Sequence, residues 1–507
     1  MAYDTIAAPS TERIEEISNQ LQLSLTAEEI ETIAAVSDGM MGVFERLDQL
    51  EEPKPEITDA KRNSGERVPA AADPLNAWVT SCEIDGAEDG PLAGYEIGLK
   101  DNVSVAGVEM TLGSSLMEGF VPDIDATIVK RLLEAGGTIT GKQNMEALAL
   151  SASGELSDHG PVLNPHSKDH IAGGSSSGSA AAVVTGDVDV SIGGDQAGSI
   201  RVPSSWSGCV GHKPTHTLVP YTGIAALGHT FDHTGPMARS TEDVALTLDV
   251  IAGKDPLDPR QGAVPTQEYA ATVDEANVEE LTVGVVEEGF DREESEQAVD
   301  DCVPEALAEL ESAGATVEEV SVPYHLDGEV IFLGFALQET TELFLGDGQG
   351  YFGKGFYDTS FAEAFGRARR ERGEEFPPFP KLEMVMGTYL KEEYANVFHA
   401  KAQNLRRDLT AAYDESLSEY DVLAMPTTSF TAHEKREELS FGEKLDRAAD
   451  MIGNTAPFDV TGHPAISVPC GSADGLPVGL QFVGEQFDDA TVLAAGAAFE
   501  EHVGWNL

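Results

Sequence analysis

From about residue 71, the sequence alternates short apolar runs with segments of helical spacing, and this alternation limits the folds open to the chain. YEIGLK (95–100) has the length and composition of a strand, ATIVKRLLEAGG (126–137) has the spacing of a helix with a glycine stop, and the following TITGK returns to a strand. That order is the β-α-β unit of α/β proteins. The sequence therefore predicts an α/β sheet with helices on both faces. Five later segments are predicted strands of the same sheet: LTVGVV (281–286), TVEEVSV (316–322), YDVLAMP (420–426), PAISVP (464–469) and VGLQFVG (478–484).

Residues 1–70 precede this alternation and are predicted to form an N-terminal helical region. Ser10 begins a first amphipathic helix, and Thr26 with Glu29 forms a capping box ahead of a second. The end of the region, EEPKPEITDAKRNSGERVP, is rich in charged residues, proline and glycine, so it is interpreted as a linker.

A second change of pattern occurs between residues 324 and 410, where the sequence is aromatic-rich and helical. We interpret 324–410 as a helical insertion that separates a first core part, residues 71–323, from a C-terminal core part, residues 411–507. The aromatic residues of the insertion are expected to pack together or to wall an apolar pocket. They are Phe352, Phe356, Tyr357, Phe361 and Phe365.

The charge balance is strongly acidic, although the charged fraction is ordinary. Asp and Glu number 89 against 31 Lys and Arg, which gives a formal net charge of -58. The acidic residues are spread along the chain and repel phosphates and anionic headgroups, so neither nucleic acid nor membranes are expected partners. Molar salt shortens the Debye length to about 3 Å and screens the self-repulsion. We therefore expect a halophilic source.

Targeting and metal-binding patterns are also missing from the sequence. It has neither a signal peptide nor a continuous apolar stretch long enough to span a membrane, so a cytoplasmic location is expected. The four cysteines form no CxxC pair, and the twelve histidines form no HExxH motif. Neither a disulfide framework nor a metal site is predicted.

The most unusual segment is rich in glycine, serine and alanine and runs from about residue 171 to 220. A flexible linker is one interpretation, but helix-forming residues (180–184) and a strand-like VDVSIGG (188–194) follow the first glycines directly. A phosphate-binding loop would need a lysine after Gly178, which is not there. A nucleophile elbow would need a buried strand before it, and SKDHIAG is short and polar.

Acyl transfer by serine and lysine is the remaining interpretation of this segment. A serine hydroxyl needs a base to remove its proton, and a lysine can be that base when burial lowers its pKa towards neutrality. Backbone N–H groups freed by glycines can stabilise the negative charge that develops on the substrate oxygen. DQAGS (195–199) offers such a loop together with a serine.

Three separated elements resemble the amidase signature family: GLKDN, GGSSSGSAAAVV and GGDQAGSIRVPSSWSGCVGHKPT. They occur in the order and at the spacing that this family uses, with Ser175 75 residues after Lys100 and Ser199 24 residues further on. The likeness extends to the TGHPAISVPCGSADGLPVGLQFVGE block near the C-terminus. It implies a large mixed β-sheet core flanked by helices, a hydrolase of amides, and no cofactor.

The resemblance also assigns roles to individual residues. It implies that Ser199 is the nucleophile, Lys100 the base and Ser175 the serine that relays the proton between them, with a cis peptide bond between Gly174 and Ser175. An acyl-enzyme would form on Ser199 and be hydrolysed by water. The expected oxyanion hole consists of the backbone N–H groups of Gln196, Ala197, Gly198 and Ser199.

Several neighbouring residues are expected to support these three. Arg201 is interpreted as an anchor of the oxyanion loop, and Asp195 and Asp101 are expected to hold that loop and the lysine region by hydrogen bonds. Gly174 and Ser176 flank the relay serine. Most family members carry glycine where this chain has Ser177 and Ala197, so a catalytically silent scaffold is an alternative; a negative φ at Ala197 would keep its N–H available.

Within the family, the DQ pair, the GHKPTHTLVPYTG segment and the N-terminal helical region resemble the amidases of nitrile pathways. The substrate is then expected to be a small carboxylic acid amide, and the family suggests a homodimer. The alternative is the glutaminase component of a tRNA-dependent amidotransferase, which usually has threonine in place of Gln196 and lacks so long a helical extension.

Overall fold

The computed structural model describes residues 6–69, 71–351 and 353–504. The chain divides into two compact units, Met1–Pro55 and Glu56–Leu507. The first described unit consists of two helices, and the second contains the sheet with all residues singled out above as candidate site residues.

The helices of the first unit are α1 (Thr11–Gln20) and α2 (Ala27–Asp48). Both predicted starts are confirmed. The Ser10 side chain accepts a hydrogen bond from a backbone N–H of the first turn, and Thr26 and Glu29 form the reciprocal capping box. Each device satisfies backbone donors that a helix start otherwise leaves unpaired.

The second unit is built on one mixed sheet, in which the described residues form twelve strands. The predicted strands at 95–100, 188–194 and the five later segments are confirmed. In chain order the strands are β1 (Arg62–Arg67), β2 (Trp78–Ile84), β3 (Glu96–Lys100), β4 (Thr138–Gln143), β5 (Val190–Asp195), β6 (Val210–Lys213), β7 (His233–Ala238), β8 (Thr282–Val286), β9 (Thr316–Val320), β10 (Val422–Pro426), β11 (Ala465–Ala473) and β12 (Leu476–Val483).

Helices connect most of these strands and cover the sheet. Short 3-10 turns occur as well, at 115–117, 147–149, 278–280, 287–289, 323–327 and 373–375. The helices are α3 (Thr127–Glu134), α4 (Ser177–Thr185), α5 (Arg201–Ser207), α6 (Thr241–Ile251), α7 (Tyr269–Asp274), α8 (Gln297–Ala313), α9 (Gly328–Leu345), α10 (Thr359–Glu371), α11 (Pro378–Tyr394), α12 (Val397–Leu417), α13 (Phe441–Asp446), α14 (Ala456–Thr461) and α15 (Asp489–His502).

The spatial order of the strands is β1-β2-β4-β3-β5-β7-β6-β11-β12-β10-β8-β9. β3 lies between β4 and β5 and is parallel to both, and β8 is parallel to β9 and β10; the other neighbouring pairs are antiparallel. A mixed α/β sheet is therefore confirmed. The carboxyl ends of β3 and β5 meet at one edge of the sheet, because adjacent parallel strands end on the same side.

Hydrophobic side chains fill both faces of the sheet. In β10, Val422 and Ala424 belong to one core, whereas Leu423 and Met425 belong to another, as expected from the two-residue repeat of a strand. The first core includes side chains of α3, α6, α8 and α15, and the second includes side chains of α9, α10, α12 and α14. The prediction of helices on both faces is confirmed.

The predicted linker at the end of the N-terminal region contains a strand, and here the prediction is wrong. RNSGER forms β1, the edge strand, which pairs antiparallel with β2. The segment has no apolar residue that would identify a strand from sequence. Backbone pairing with β2 defines it instead, together with the ion pairs of Arg62 with Asp125 and of Arg67 with Glu109.

Residues 324–410 are helical for most of their described length. They contain α9, α10 and α11, and α12 continues beyond residue 410 to Leu417. α9 packs against α11, α12 and α14. None of the helices in the described part of the chain combines the length and the apolar character needed to cross a membrane.

Candidate active site

Lys100 is the last residue of β3 and lies at the carboxyl edge of the sheet. Its side chain is completely buried. The Nζ atom donates hydrogen bonds to Ser175 Oγ at 2.8 Å and to the Gly194 carbonyl oxygen at 3.2 Å. β3 therefore brings a lysine amine to a serine hydroxyl that is remote in sequence.

Burial lowers the pKa of Lys100 to about 7, because the ammonium form loses its hydration. The negative charges of Asp195, Glu146 and Asp232 act in the opposite direction and favour the protonated form. The result is an amine of which roughly half is neutral at pH 7. A neutral amine has the lone pair that a general base needs.

Ser175 follows a cis peptide bond from Gly174, as expected from the family resemblance. The Gly174 N–H donates to the Ala152 carbonyl oxygen at 2.7 Å, and the Ser175 carbonyl oxygen accepts from the Glu146 N–H at 3.2 Å. Two residues further on, at Ser177, α4 begins. These contacts fix the backbone on both sides of the Ser175 hydroxyl.

Ser176 links this segment to the loop that carries Ser199. Its backbone N–H donates to the Ser199 carbonyl oxygen at 3.2 Å, and its hydroxyl donates to the Gly194 carbonyl oxygen at 3.1 Å. The Gly194 N–H in turn donates to Ser176 Oγ at 3.2 Å. The lysine, the Ser175 segment and the Ser199 loop are thus tied together through Gly194 and Ser176.

The loop between β5 and α5 places Ser199, and Asp195 determines its shape. The Asp195 carboxylate accepts the backbone N–H groups of Gly198 at 2.6 Å and Ile200 at 3.1 Å. Burial opposes ionisation of Asp195, but the charge and hydrogen bonds of Arg201 prevail and hold its pKa at about 2.

The Gly198 N–H was predicted as one of four oxyanion donors, and the structure does not leave it free for that role. It points to Asp195 Oδ1, because the turn directs it back to the strand end. In the described structure, the N–H groups of Gln196, Ala197 and Ser199 donate to no protein acceptor. These three groups are therefore available to stabilise an anion beside the Ser199 hydroxyl.

The two departures from the family's glycines do not demand a left-handed backbone. Ala197 and Ser177 are not among the described residues with positive φ, whereas Gly198, with φ of 132°, is. Ser177 is the first residue of α4. Both non-glycine residues therefore fit the backbone that they occupy.

Arg201 is fully buried at the start of α5 and fixes the loop from behind. It forms ion pairs with Asp195 at 3.0 Å and Asp459 at 2.6 Å, and it donates to Gln481 Oε1 at 2.8 Å and to the Thr455 carbonyl oxygen at 3.0 Å. All of its partners are protein groups of the core, as expected for an anchor rather than a substrate ligand.

Asp101 follows Lys100 but acts on other neighbours. Its carboxylate forms a buried ion pair with Lys142 at 3.1 Å and accepts the Thr111 N–H at 2.8 Å. The expected support of the lysine region is therefore indirect: Asp101 ties the end of β3 to β4, the neighbouring strand, and to the loop that carries Thr111.

Ser199 lines a small, largely apolar cavity of about 60 Å³. That is room for more than one water molecule, since about 10–15 Å³ suffices for one. The cavity is lined by Ala149, Leu150, Ser151, Ala152, Gln196, Ala197, Ser199, Leu227, Phe231, Phe332, Leu333, Ala336, Thr340, Phe379, Glu383, Ala448, Ala449 and Ile452.

Two of the aromatic residues singled out in the insertion pack together as expected, and none of the four that the structure describes lines the Ser199 cavity. Phe361 and Phe365 pack against each other with centroids 5.8 Å apart, and Phe356 and Tyr357 line a different cavity beside Tyr221. Phe352 lies outside the described residues. The aromatic rings beside Ser199 are instead Phe231, Phe332 and Phe379, which come from a loop, from α9 and from α11.

Glu146 is a buried residue of the site that the sequence did not single out. Its carboxylate accepts backbone N–H groups of 154–156 and the hydroxyls of Ser151 and Ser153. Burial raises its pKa to about 7 against these hydrogen bonds. Since its own N–H donates to the Ser175 carbonyl oxygen, Glu146 joins the cavity wall at Ser151 to the relay serine segment.

Comparison with known proteins agrees with this geometry. The Amidase family matches residues 43–493 of the chain. An enantioselective amidase of Rhodococcus rhodochrous is 41% identical over 99% of this chain and 97% of its own length. The A component of the glutamyl-tRNA(Gln) amidotransferase of Haloarcula marismortui is 40% identical over 83% of this chain and 99% of its own. The crystal structure of the same component from Thermotoga maritima superposes with a TM-score of 0.70 at 30% identity, covering 86% of this chain and 89% of the other.

A buried lysine–serine pair beside a serine loop with free N–H groups, at the edge of a mixed α/β sheet, defines the class of the protein. The chain belongs to the amidase signature family of hydrolases.

Proposed function

We propose that the chain is an amidohydrolase that converts a carboxylic acid amide and water to the acid and ammonia through an acyl-enzyme on Ser199. The observation that carries this proposal is the 2.8 Å hydrogen bond from the buried Lys100 amine to Ser175, next to the loop that bears Ser199. A lysine whose pKa lies near 7, beside a serine that can relay the proton, is the base that an unactivated hydroxyl requires.

In the acylation step, neutral Lys100 accepts the Ser175 proton while Ser175 accepts the Ser199 proton. Ser199 Oγ forms a bond to the amide carbon, and the electron pair of the carbonyl group moves to its oxygen. The N–H groups of Gln196, Ala197 and Ser199 stabilise that oxyanion. In the part of the chain that the structure describes, the Ser199 hydroxyl makes no hydrogen bond to protein, and the proposed relay requires it to donate to Ser175 Oγ in the substrate complex.

Collapse of the oxyanion breaks the carbon–nitrogen bond. The proton held by Lys100 returns through Ser175 to the departing nitrogen, so ammonia leaves as a neutral molecule and the acyl group stays on Ser199. Water then attacks the ester with the same relay as base. This hydrolysis releases the acid and restores the Ser199 hydroxyl, so the reaction consumes only the amide and water.

The likeness to the Rhodococcus enantioselective amidase spans nearly all of both chains and supports a free-standing amidase. The likeness to the amidotransferase component leaves out about a sixth of this chain. The two functions are separated by measuring ammonia release from acetamide, benzamide, phenylacetamide and glutamine at low and molar salt. Ammonia release from the simple amides without a partner protein supports the proposal. The proposal is contradicted if glutamine is the only one of the four amides that releases ammonia and does so only when a partner protein is added.

We expect kcat/KM to rise with pH through about 7 and to fall about tenfold for each pH unit below that value. Protonation of Lys100 removes the base, and its pKa of about 7 sets the midpoint. The measurement is kcat/KM for a neutral amide between pH 5 and 9, at constant ionic strength.

Two buried carboxyl groups near the site, Glu146 and Asp232, also have pKa values raised to about 7 by burial, so the titrating group must be identified. An ammonium group loses its proton with a large enthalpy change, whereas a carboxyl group does so with almost none. Warming should therefore lower the midpoint if Lys100 controls it. A midpoint independent of temperature contradicts this assignment.

We also propose that the protein is adapted to concentrated salt. Residues 261–320 hold 18 acidic and one basic residue, whereas 171–230, which include the serine segment, hold three acidic and two basic ones. The excess acidic side chains therefore lie in segments other than 171–230, and they repel one another in dilute buffer.

We expect the thermal unfolding midpoint to rise by several degrees or more between 0.1 M and 3 M NaCl, because salt screens the repulsion between acidic side chains. Sucrose is the control, since it strengthens burial without screening charge. A midpoint insensitive to NaCl, or one that sucrose raises equally, contradicts halophilic adaptation.

A further inference from the structure

Glu383 of α11 is a carboxyl group in the wall of the Ser199 cavity. It is 5% exposed, and its Oε2 atom has no hydrogen-bond partner in the part of the chain that the structure describes. Burial alone raises its pKa to about 8. A buried carboxyl group without a partner is costly, so an unpaired one facing a cavity points to a partner that enters the cavity.

The backbone around Glu383 is held firmly in place. Its carbonyl oxygen accepts the Thr341 hydroxyl of α9 at 3.0 Å, and the same hydroxyl is 2.7 Å from the Leu337 carbonyl oxygen. One turn later, a side chain at Gly387 would clash with Thr341 and Leu337. Glycine at position 387 thus allows α9 and α11 to pack closely, and this packing fixes the backbone position of Glu383 beside the cavity.

In the described part of the chain, the other residues that line the cavity provide no positive charge to pair with this carboxyl group. Phe231, Phe332 and Phe379 are among its mainly apolar lining residues, and none of the described lining residues carries a positive charge. The catalytic loop contributes Ser199 and Gln196, and α9 contributes Thr340. The cavity therefore combines apolar walls, the serine nucleophile and one acidic group without a countercharge.

We infer that Glu383 is a specificity-determining residue and that the cavity selects amides whose acyl group has an apolar body and carries a primary ammonium. An ammonium group donates three hydrogen bonds and supplies the positive charge that the lining residues lack. The inference rests on the proposed function, because it assigns the substrate class of the same site.

The test compares each ω-amino amide of three to six carbons with its unsubstituted parent amide, for wild type and for Glu383→Gln. We expect wild type to prefer at least one amino amide in kcat/KM. A substrate ammonium beside Glu383 favours the ionised form of its carboxyl group, which then releases its proton. Glu383→Gln keeps the shape but cannot ionise, so it should lower this preference about tenfold or more while changing kcat/KM for the parent by less than about threefold.

Two further variants complete the experiment. Glu383→Met should also lose the preference and turn over the parent amide at least as well as wild type, because an apolar side chain suits the apolar wall. Glu392→Gln, at an exposed position of the same helix, should leave kcat/KM for both the amino amide and the parent amide unchanged.

The inference is overturned if wild type prefers no amino amide, or if both Glu383 variants keep the wild-type preference. Hydrolysis of the parent amides in those cases leaves the proposed function intact. If wild type hydrolyses none of the parent or amino amides, the proposed function falls and this inference with it.

Discussion

Replacing Ser199 with alanine is expected to lower ammonia release from a simple amide by about 10⁴-fold or more, because the substitution removes the atom that forms the acyl-enzyme. The Asp195 and Arg201 contacts that shape the loop involve no atom of the Ser199 side chain, so the fold should be unaffected. The measurement is kcat for acetamide or phenylacetamide, together with the thermal unfolding midpoint of the variant.

Mass spectrometry supplies an independent readout of the same prediction. During slow turnover, wild type should carry an acyl mass increment on Ser199, and Ser199→Ala should carry none. Ser312→Ala, at an exposed position of α8, is the control and should behave as wild type. Undiminished ammonia release by Ser199→Ala would contradict both the nucleophile assignment and the mechanism built on it.

The residues that meet around Lys100 were predictable because each lies in a segment with a strong local pattern. YEIGLK is a short apolar run that ends in lysine, and the structure places Lys100 at the end of β3. The glycine-rich segments predicted Ser175 and Ser199 through their likeness to a family. Local periodicity also predicted the β5 strand, which leads into the Ser199 loop.

The donors of the oxyanion hole were less predictable. Sequence identifies the loop 195–199 but does not show where each N–H points, because that depends on which donors the Asp195 carboxylate takes up. In the structure it takes the Gly198 N–H, and three of the four predicted donors are left. The edge strand β1 was missed for a related reason: its pairing with β2 depends on backbone hydrogen bonds, which leave no apolar pattern in the sequence.

Residues that depend on packing between distant segments had no local signal at all. Glu383 is flanked by Leu382 and Met384, whereas exposed Glu392 stands in the charged run KEE, but neighbours in sequence do not show which of the two carboxyl groups faces a packed helix. The close approach of α9 and α11 buries one and leaves the other in solvent. Glu146 is similar, because its role as an acceptor for the 151–156 turn appears only when that turn folds around it.

Replacing Lys100 with methionine is expected to lower kcat/KM by about 10³-fold or more at pH 8, where the wild-type amine is mostly neutral. Methionine fills a similar volume but has no lone pair of comparable basicity, so Ser175 can no longer pass on the proton of Ser199. Lys100→Arg is expected to be as inactive, because a guanidinium group stays protonated at every working pH.

The pair of variants separates loss of the base from loss of the fold. Lys100→Met removes an amine whose ammonium form is disfavoured by burial, so the thermal unfolding midpoint of this variant should not fall below that of wild type at pH 6. Lys100→Arg places a permanent charge in the same buried site, so this variant should unfold at a lower temperature than wild type. Lys401→Met, at an exposed position of α12, is the control for removal of a lysine from this acidic chain. Because the residual activity of Lys100→Met has no amine to titrate, it should lack the midpoint near pH 7. A variant that stays active with the wild-type pH profile would show that another group, such as Glu146 or Asp232, supplies the base.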